Sequence, residues 1–152
     1  MVLQRSIQTQ FGILTVTEEA GAITRLSWGG VAEHHSNDLL DEAARQLASY
    51  DNGELTEFTL PLRVEGSDFL RAVCDAISAI PFGETRTYGD IAKDLNAPAQ
   101  AVGQACGQNP IPVIIPCHRV MGAKGLTGYS GEGGIETKIA LLRHEGAAGL
   151  LI

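Results

Sequence analysis

The sequence predicts two units in tandem: a small α/β domain over residues 1–66 and an α-rich winged helix-turn-helix domain over residues 67–152. Three observations lead there. Short strand-like runs broken by glycine-bearing turns fill the first part of the chain, with one amphipathic helix behind them. From Ser67 onward the pattern changes to short helical runs with recognisable start and stop residues. The charge divides at the same place. Of a net charge of −7, residues 1–66 hold four arginines against ten acids, and residues 67–152 hold seven Lys or Arg against eight acids, so −6 falls on the first unit and −1 on the second.

In the first unit, Gln4–Thr9 and Ile13–Thr17 read as strands around a turn at Phe11-Gly12, and Ala22–Trp28 as a third strand before Gly29-Gly30. Asp38–Ser49 reads as a helix with Leu39, Leu40, Ala43, Ala44 and Leu47 on one apolar face. Leu60–Val64 reads as a further short strand, with Pro61 placing it at an edge. His34-His35 has no cysteine or acidic partner pattern beside it and is expected in a solvated loop. The unit carries no catalytic constellation and reads as a scaffold, with a linker near Glu65-Gly66.

In the second unit, Ser67 caps a helix to about Ala79, with Phe69, Leu70, Val73 and Ile77 inward, and Ile80-Pro81-Phe82-Gly83 ends it. Thr87 caps Tyr88–Leu95, with Asp90 in the position of a capping box. Asn96-Ala97 makes a turn, Pro98 sits at a first helical position, and Pro98–Gly107 completes a helix-turn-helix. This second helix is slim, with Ala99, Ala101, Gly103, Ala105 and Gly107. Slimness suits close packing and equally suits close approach to a nucleic-acid backbone. Residues 121–127 read as a turn and short strand, the wing; residues 130–134 as a loop; Ile135, Ile139 and Leu142 as the inward face of a last helix that Gly146 stops; and 147–152 as an apolar tail.

Composition narrows the function. No apolar run reaches membrane-span length and the N-terminus lacks a signal-peptide core, so a cytoplasmic protein is expected. Cys74, Cys106 and Cys117 are odd in number and without Cys-x-x-Cys spacing, which argues against a disulfide framework and against structural zinc. The near-neutral second unit lacks a basic footprint, so any DNA affinity should be weak and salt-sensitive.

The chemistry concentrates in Asn109-Pro110-Ile111-Pro112-Val113-Ile114-Ile115-Pro116-Cys117-His118-Arg119-Val120. Three prolines fix φ and remove amide donors, so the segment is neither helix interior nor central strand, while its isoleucines and valine pull it into a core. A free cysteine is most often inert and buried. A rigid segment that sets a cysteine against a basic neighbour is what a nucleophilic thiolate requires. If the segment is extended, Cys117 and His118 point to opposite faces and do not touch directly.

Pro116-Cys117-His118-Arg119-Val120 after Asn109-Pro110 resembles the active-site signature of the methylated-DNA–protein-cysteine methyltransferases. The resemblance runs upstream through Ile80–Ala92 and downstream through Gly128-Tyr129-Ser130-Gly131 and Leu141–Gly146, covering most of residues 66–146. It implies an RNase H-like first domain and a single-turnover DNA repair protein, with neither metal nor cofactor. Such a protein moves the alkyl group of O6-alkylguanine, or of O4-alkylthymine, to Cys117. The implied relay is Cys117, a water, His118 and Glu145, with Asn109 orienting the active-site turn. Tyr88 is the implied donor to the leaving guanine; the Ser130 amide faces O6, and the Val120 carbonyl accepts from the exocyclic amine. Arg119 is placed beside the substrate site as the salt-bridged anchor of the turn. Ala99, Gln100 and Gly103 are placed toward alkylated double-stranded DNA, bound as a monomer through the minor groove with the base flipped out.

The sequence departs from the pattern at three places. Gln100 stands where the family carries an arginine that fills the gap left by the flipped base. The loop around Glu132–Gly134 is two residues longer, and Leu70 and Cys74 replace the usual Gln and Trp. Two other readings remain at this point. One is a non-catalytic alkyltransferase-like lesion binder, a group that lacks the cysteine; the other is a Cys-His-Glu hydrolase, which needs an oxyanion hole.

Overall fold

The computed structural model of the chain describes residues 1–31, 33–122 and 134–147. The chain divides into two compact units, Met1–Val64 and Glu65–Ile152. In the first, β1 (Val2–Thr9), β2 (Gly12–Glu19) and β3 (Ala22–Trp28) form an antiparallel sheet in that order. The third strand has the bounds the sequence pattern indicates, while the first two are longer, and each connection uses only two residues, Gln10-Phe11 and Ala20-Gly21. The second of these has positive φ at both positions, 49° and 82°, the hairpin turn whose twist matches its strands.

Helix α1 (Asp38–Asp51) starts at Asn37, whose side chain accepts from the Leu40 amide, and packs on β1 and β2. Its buried face is Leu40, Ala43, Gln46, Leu47 and Tyr50; Leu39 and Ala44 only flank it. Buried Gln46 holds the Thr59 amide and carbonyl through its side chain, so a polar residue on the inner face is satisfied.

One expectation for this unit needs correction. Leu60–Val64 is not a strand: one parallel bridge, Ile23 with Leu62, is all that forms. Ile23 donates to the Pro61 carbonyl and accepts from Arg63, but Pro61 has no N–H to extend the ladder backward. His34-His35 lies in a loop as expected, with His34 exposed and His35 half-buried, and it also makes contacts. The His35 amide donates to the Gln4 carbonyl at 2.8 Å, its Nδ1 accepts from the Gln4 amide at 3.1 Å, and His34 Nδ1 accepts from the Ser6 amide at 3.4 Å. The pair covers backbone groups on the free edge of β1.

In the second unit, α2 (Asp68–Ser78) begins at Ser67, which accepts from the Leu70 amide, and buries Leu70, Val73, Cys74 and Ile77. The short strand β4 (Arg86–Thr87) leads into α3 (Tyr88–Leu95) through a reciprocal cap: Thr87 Oγ1 accepts from the Asp90 amide and the Asp90 carboxylate from the Thr87 amide, both at 3.0 Å. Asn96 closes α3 in the left-handed conformation, φ 52°, which Asn tolerates better than most residues. Helix α4 (Ala99–Gly107) follows, packed on α3 and α2. Pro98 caps α4 rather than opening it: its ψ of 141° is extended, so the helix begins one residue later than expected.

A single 3-10 turn, Cys117–Arg119, runs into β5 (Val120–Met121), which pairs in parallel with β4. Helix α5 (Ile135–His144) ends in a double-bonded cap: the Gly146 amide reaches the Arg143 carbonyl and the Ala147 amide the Leu142 carbonyl, with Gly146 at φ 65°. The buried face of α5 is not the one the spacing indicates. Ile135 is exposed and Ile139 half-buried, while Lys138, Leu141 and Leu142 are buried, followed by Glu145 at the C-cap. The wing over 123–127, Ser130, and the residues around 128–133 and 148–152 lie outside the described residues.

Candidate active site

The proline-rich segment from Asn109 is folded on itself. Asn109 is buried; its Nδ2 donates to the Ile115 carbonyl at 2.8 Å and its Oδ1 accepts from the Ile111 amide at 2.9 Å. The Ile115 carbonyl also accepts from the Cys117 amide at 2.8 Å, so Asn109 and the cysteine share one acceptor. The segment then enters the 3-10 turn, where the expectation of an extended chain fails. Pro116 stops at ψ 65°, and the Arg119 amide returns to the Pro116 carbonyl at 2.9 Å. At about three residues per turn, Cys117, His118 and Arg119 point in three directions instead of two.

That geometry lets adjacent His118 and Arg119 reach one carboxylate. His118 Nε2 lies 2.7 Å from Glu145 Oε2; Arg119 Nε donates to Oε1 at 2.8 Å and Nη2 to Oε2 at 3.1 Å. Arg119 Nη1 donates to the Ile80 carbonyl at 2.6 Å, and the guanidinium stands 5.8 Å from the Phe82 ring centroid. The side chains of His118 and Glu145 are fully buried. A carboxylate on Nε2 selects the tautomer with the proton there, leaving Nδ1 as a lone pair. Nδ1 is buried with no hydrogen-bond partner among the described residues. Arg119 is 6 % exposed and bound to Glu145 and Ile80, within the buried support of the turn.

Burial drives the His118 pKa below its ordinary 6.5; the Glu145 hydrogen bond pulls the other way, and nearby Arg119 and Lys138 reinforce the lowering. Burial prevails because the side chain has no solvent to share its charge with. The folded protein therefore binds this proton less readily than the unfolded chain. The contribution of His118 to stability is complete above about pH 6.5 and is lost as pH falls through the lowered folded value. An NMR titration should show the His118 ring still neutral at pH 6.5; a ring half-protonated there means that water reaches it.

Lys138, which the apolar spacing of α5 does not single out, proves central. It is 0 % exposed, its Nζ donates to the Val120 carbonyl at 2.6 Å, and it lies 6.0 Å from the Tyr88 ring centroid. Burial lowers its pKa, while the thiols of Cys117 and Cys106 act in the opposite sense. The available signal was its place three residues before Leu141 and seven before Glu145, on the same helical face. Tyr88 is half-buried at the start of α3. On α4, Ala99 and Gln100 are exposed and Gly103 half-buried, opposite the inward Val102, Ala105 and Cys106. All three cysteines are buried and outside any disulfide. Burial, reinforced by the charge of Cys117, pushes Cys74 up to about 11 and Cys106 up to about 12, so neither is a competent nucleophile near neutral pH.

The arrangement supplies one cysteine beside a buried base that is oriented by a carboxylate. Known proteins resemble this one over most of the chain. The family described as 6-O-methylguanine DNA methyltransferase, ribonuclease-like domain, matches residues 2–64, and its DNA binding domain matches residues 68–147. A methylated-DNA–protein-cysteine methyltransferase of Mycolicibacterium paratuberculosis is 42 % identical over 95 % of this chain and 93 % of its own. That of Mycobacterium bovis is 44 % identical over the same shares. The crystal structure of Mycobacterium tuberculosis OGT in complex with DNA superposes with a TM-score of 0.84 at 43 % identity, covering 97 % of this chain and 96 % of that one. The chain belongs to the methylated-DNA–protein-cysteine methyltransferase family.

Proposed function

We propose that this protein repairs DNA by direct reversal, transferring the alkyl group of O6-alkylguanine, and of O4-alkylthymine, irreversibly to Cys117. The observation that carries the reading is the buried His118–Glu145 contact, which leaves Nδ1 as an unprotonated nitrogen next to the cysteine in sequence. A water bridging Nδ1 and the thiol takes the proton as sulfur attacks the alkyl carbon; the carbon–O6 bond breaks and its electron pair stays on the base. Glu145 stabilises the imidazolium that forms. Tyr88 donates to the leaving guanine, Ser130 supplies an amide to O6, and the Val120 carbonyl, which Lys138 also engages, accepts from the exocyclic amine. Asn109 holds the turn, and the unit Met1–Val64 acts as scaffold.

A base within a duplex cannot reach a buried thiol, so the lesion is flipped. In this reading the protein acts as a cytoplasmic monomer and enters from the minor groove, with the exposed face of α4, Ala99, Gln100 and Gly103, toward the DNA. Incubation with excess O6-methylguanine oligonucleotide followed by intact-mass measurement tests the reaction. One added methyl per protein, with no turnover, is the expected result. Unmodified protein that binds the lesion marks a lesion binder, and multiple turnover marks a hydrolase; either overturns the proposal.

Gln100 is shorter and uncharged where an arginine would fill the extrusion gap and attract phosphate. Gln100→Arg should raise the second-order rate on duplex and steepen its salt dependence by about one counterion. The rate on free O6-benzylguanine should hardly change. An equal effect on both substrates assigns the gap-filling role to another residue.

A further inference from the structure

The prolines leave the segment before Cys117 little freedom. Pro110, Pro112 and Pro116 have φ held near −65°, and Asn109, Ile111 and Ile115, each preceding a proline, are steered away from helical conformations. Only Val113 and Ile114 remain to reverse the chain. Val113 does so with φ 71°, and the Ile114 amide donates to the Pro112 carbonyl at 2.9 Å across it. That is the positive-φ three-residue turn, the rare and strained hand, on a β-branched residue poorly suited to it. The Ile115 amide closes the reversal on the Ile111 carbonyl at 2.8 Å. Pro116, at φ −82° and ψ 65°, then makes a second three-residue turn of the relaxed hand and delivers the Cys117 amide to Ile115. The strained turn is clamped: Val113 is 1 % exposed, and Asn109 bonds both ends of the reversal.

We propose that Val113 is a positioning residue for alkyl transfer. Its left-handed turn sets where the Ile115 carbonyl lies, and through that carbonyl it places the Cys117 amide and thiol. The role rests on the transfer reading above. It accounts for a β-branched residue held where a glycine would sit at less cost.

Val113→Ala and Val113→Gly separate the turn from ordinary packing. Both lose the buried branch, but alanine keeps a Cβ at positive φ and glycine does not. At a common φ, glycine is the more disruptive of the two; here the order inverts. Hydrogen exchange at the Ile115 and Cys117 amides should be about fivefold slower in the glycine variant than in the alanine variant. Transfer from an O6-methylguanine oligonucleotide should be about fivefold faster, with both proteins folded by circular dichroism. The rate–pH midpoint should stay that of the wild type, since His118 and Glu145 are untouched. An alanine variant that fails to fold beside a folded glycine variant is the same inversion in its extreme form. Exchange in the ordinary order, or inverted exchange with equal transfer rates, overturns the role. Inverted exchange between the two variants, with a wild-type protein that gains no methyl, overturns the transfer reading and leaves the turn assignment standing.

Discussion

Cys117→Ser should abolish methyl gain completely and leave lesion binding in place. The hydroxyl is a far weaker nucleophile at neutral pH, and the substitution changes one atom in a 5 % exposed site, so the turn that presents it should survive. No second cysteine substitutes. Cys106 is pushed up to about 12 and Cys74 up to about 11, both chiefly by burial on helices packed around the site. At pH 7 a thiol with a pKa near 12 is ionised in about one molecule in 10⁵, which removes it as a competitor on any useful timescale. Intact mass and peptide mapping of wild type and variant check this. A methylated peptide carrying Cys74 or Cys106, or residual transfer in the serine protein, sinks the assignment.

Glu145→Ala is the substitution with the largest expected cost in stability. The carboxylate accepts from His118 and from two nitrogens of Arg119, all buried, and its loss leaves a guanidinium without its counter-charge. Removing one partner of a buried pair typically costs about 3–5 kcal/mol. A urea titration should show that loss at unchanged slope. Glu145→Gln separates the fold from the chemistry, since the amide keeps the shape and one acceptor while losing the charge. It should remain folded and transfer more slowly at neutral pH, with recovery in alkaline buffer as the thiolate forms without the relay. If its rate–pH curve superimposes on that of wild type, Glu145 only supports the turn. The corresponding losses for His118 variants should be at least as large, because His118 holds the acceptor nitrogen itself.

Features that act within a few residues of themselves are legible in the chain. Thr87 with Asp90 three residues on is a cap because side chain and backbone meet within one turn, and both bonds are present. Asn109 next to Pro110, and Gly146 after the last helical residues, are equally local. Other features depend on distant partners. Leu60–Val64 has strand-like residues, but its pairing requires Ile23 and is stopped by Pro61. His34-His35 lies in the loop the sequence indicates, but its hydrogen-bond partners on β1, 28 to 31 residues away, are not legible there.

The order of elements, the rigidity of the segment before Cys117 and the candidate nucleophile and base are therefore legible in the amino-acid order, because prolines, caps and adjacent residues act at short range. The buried face of α5 is a matter of packing across the domain. Apolar spacing favours Ile135, Ile139 and Leu142, whereas a fully buried Lys138 occupies that face and donates to Val120, which is 18 residues away. A buried charge is tolerable only where a partner is waiting, and the partner is set by packing rather than by spacing. The same holds for the 3-10 turn at Cys117–Arg119. It is closed locally by the Arg119 amide on the Pro116 carbonyl, but the Glu145 carboxylate that His118 and Arg119 share lies 26 to 27 residues away, a contact no local pattern encodes.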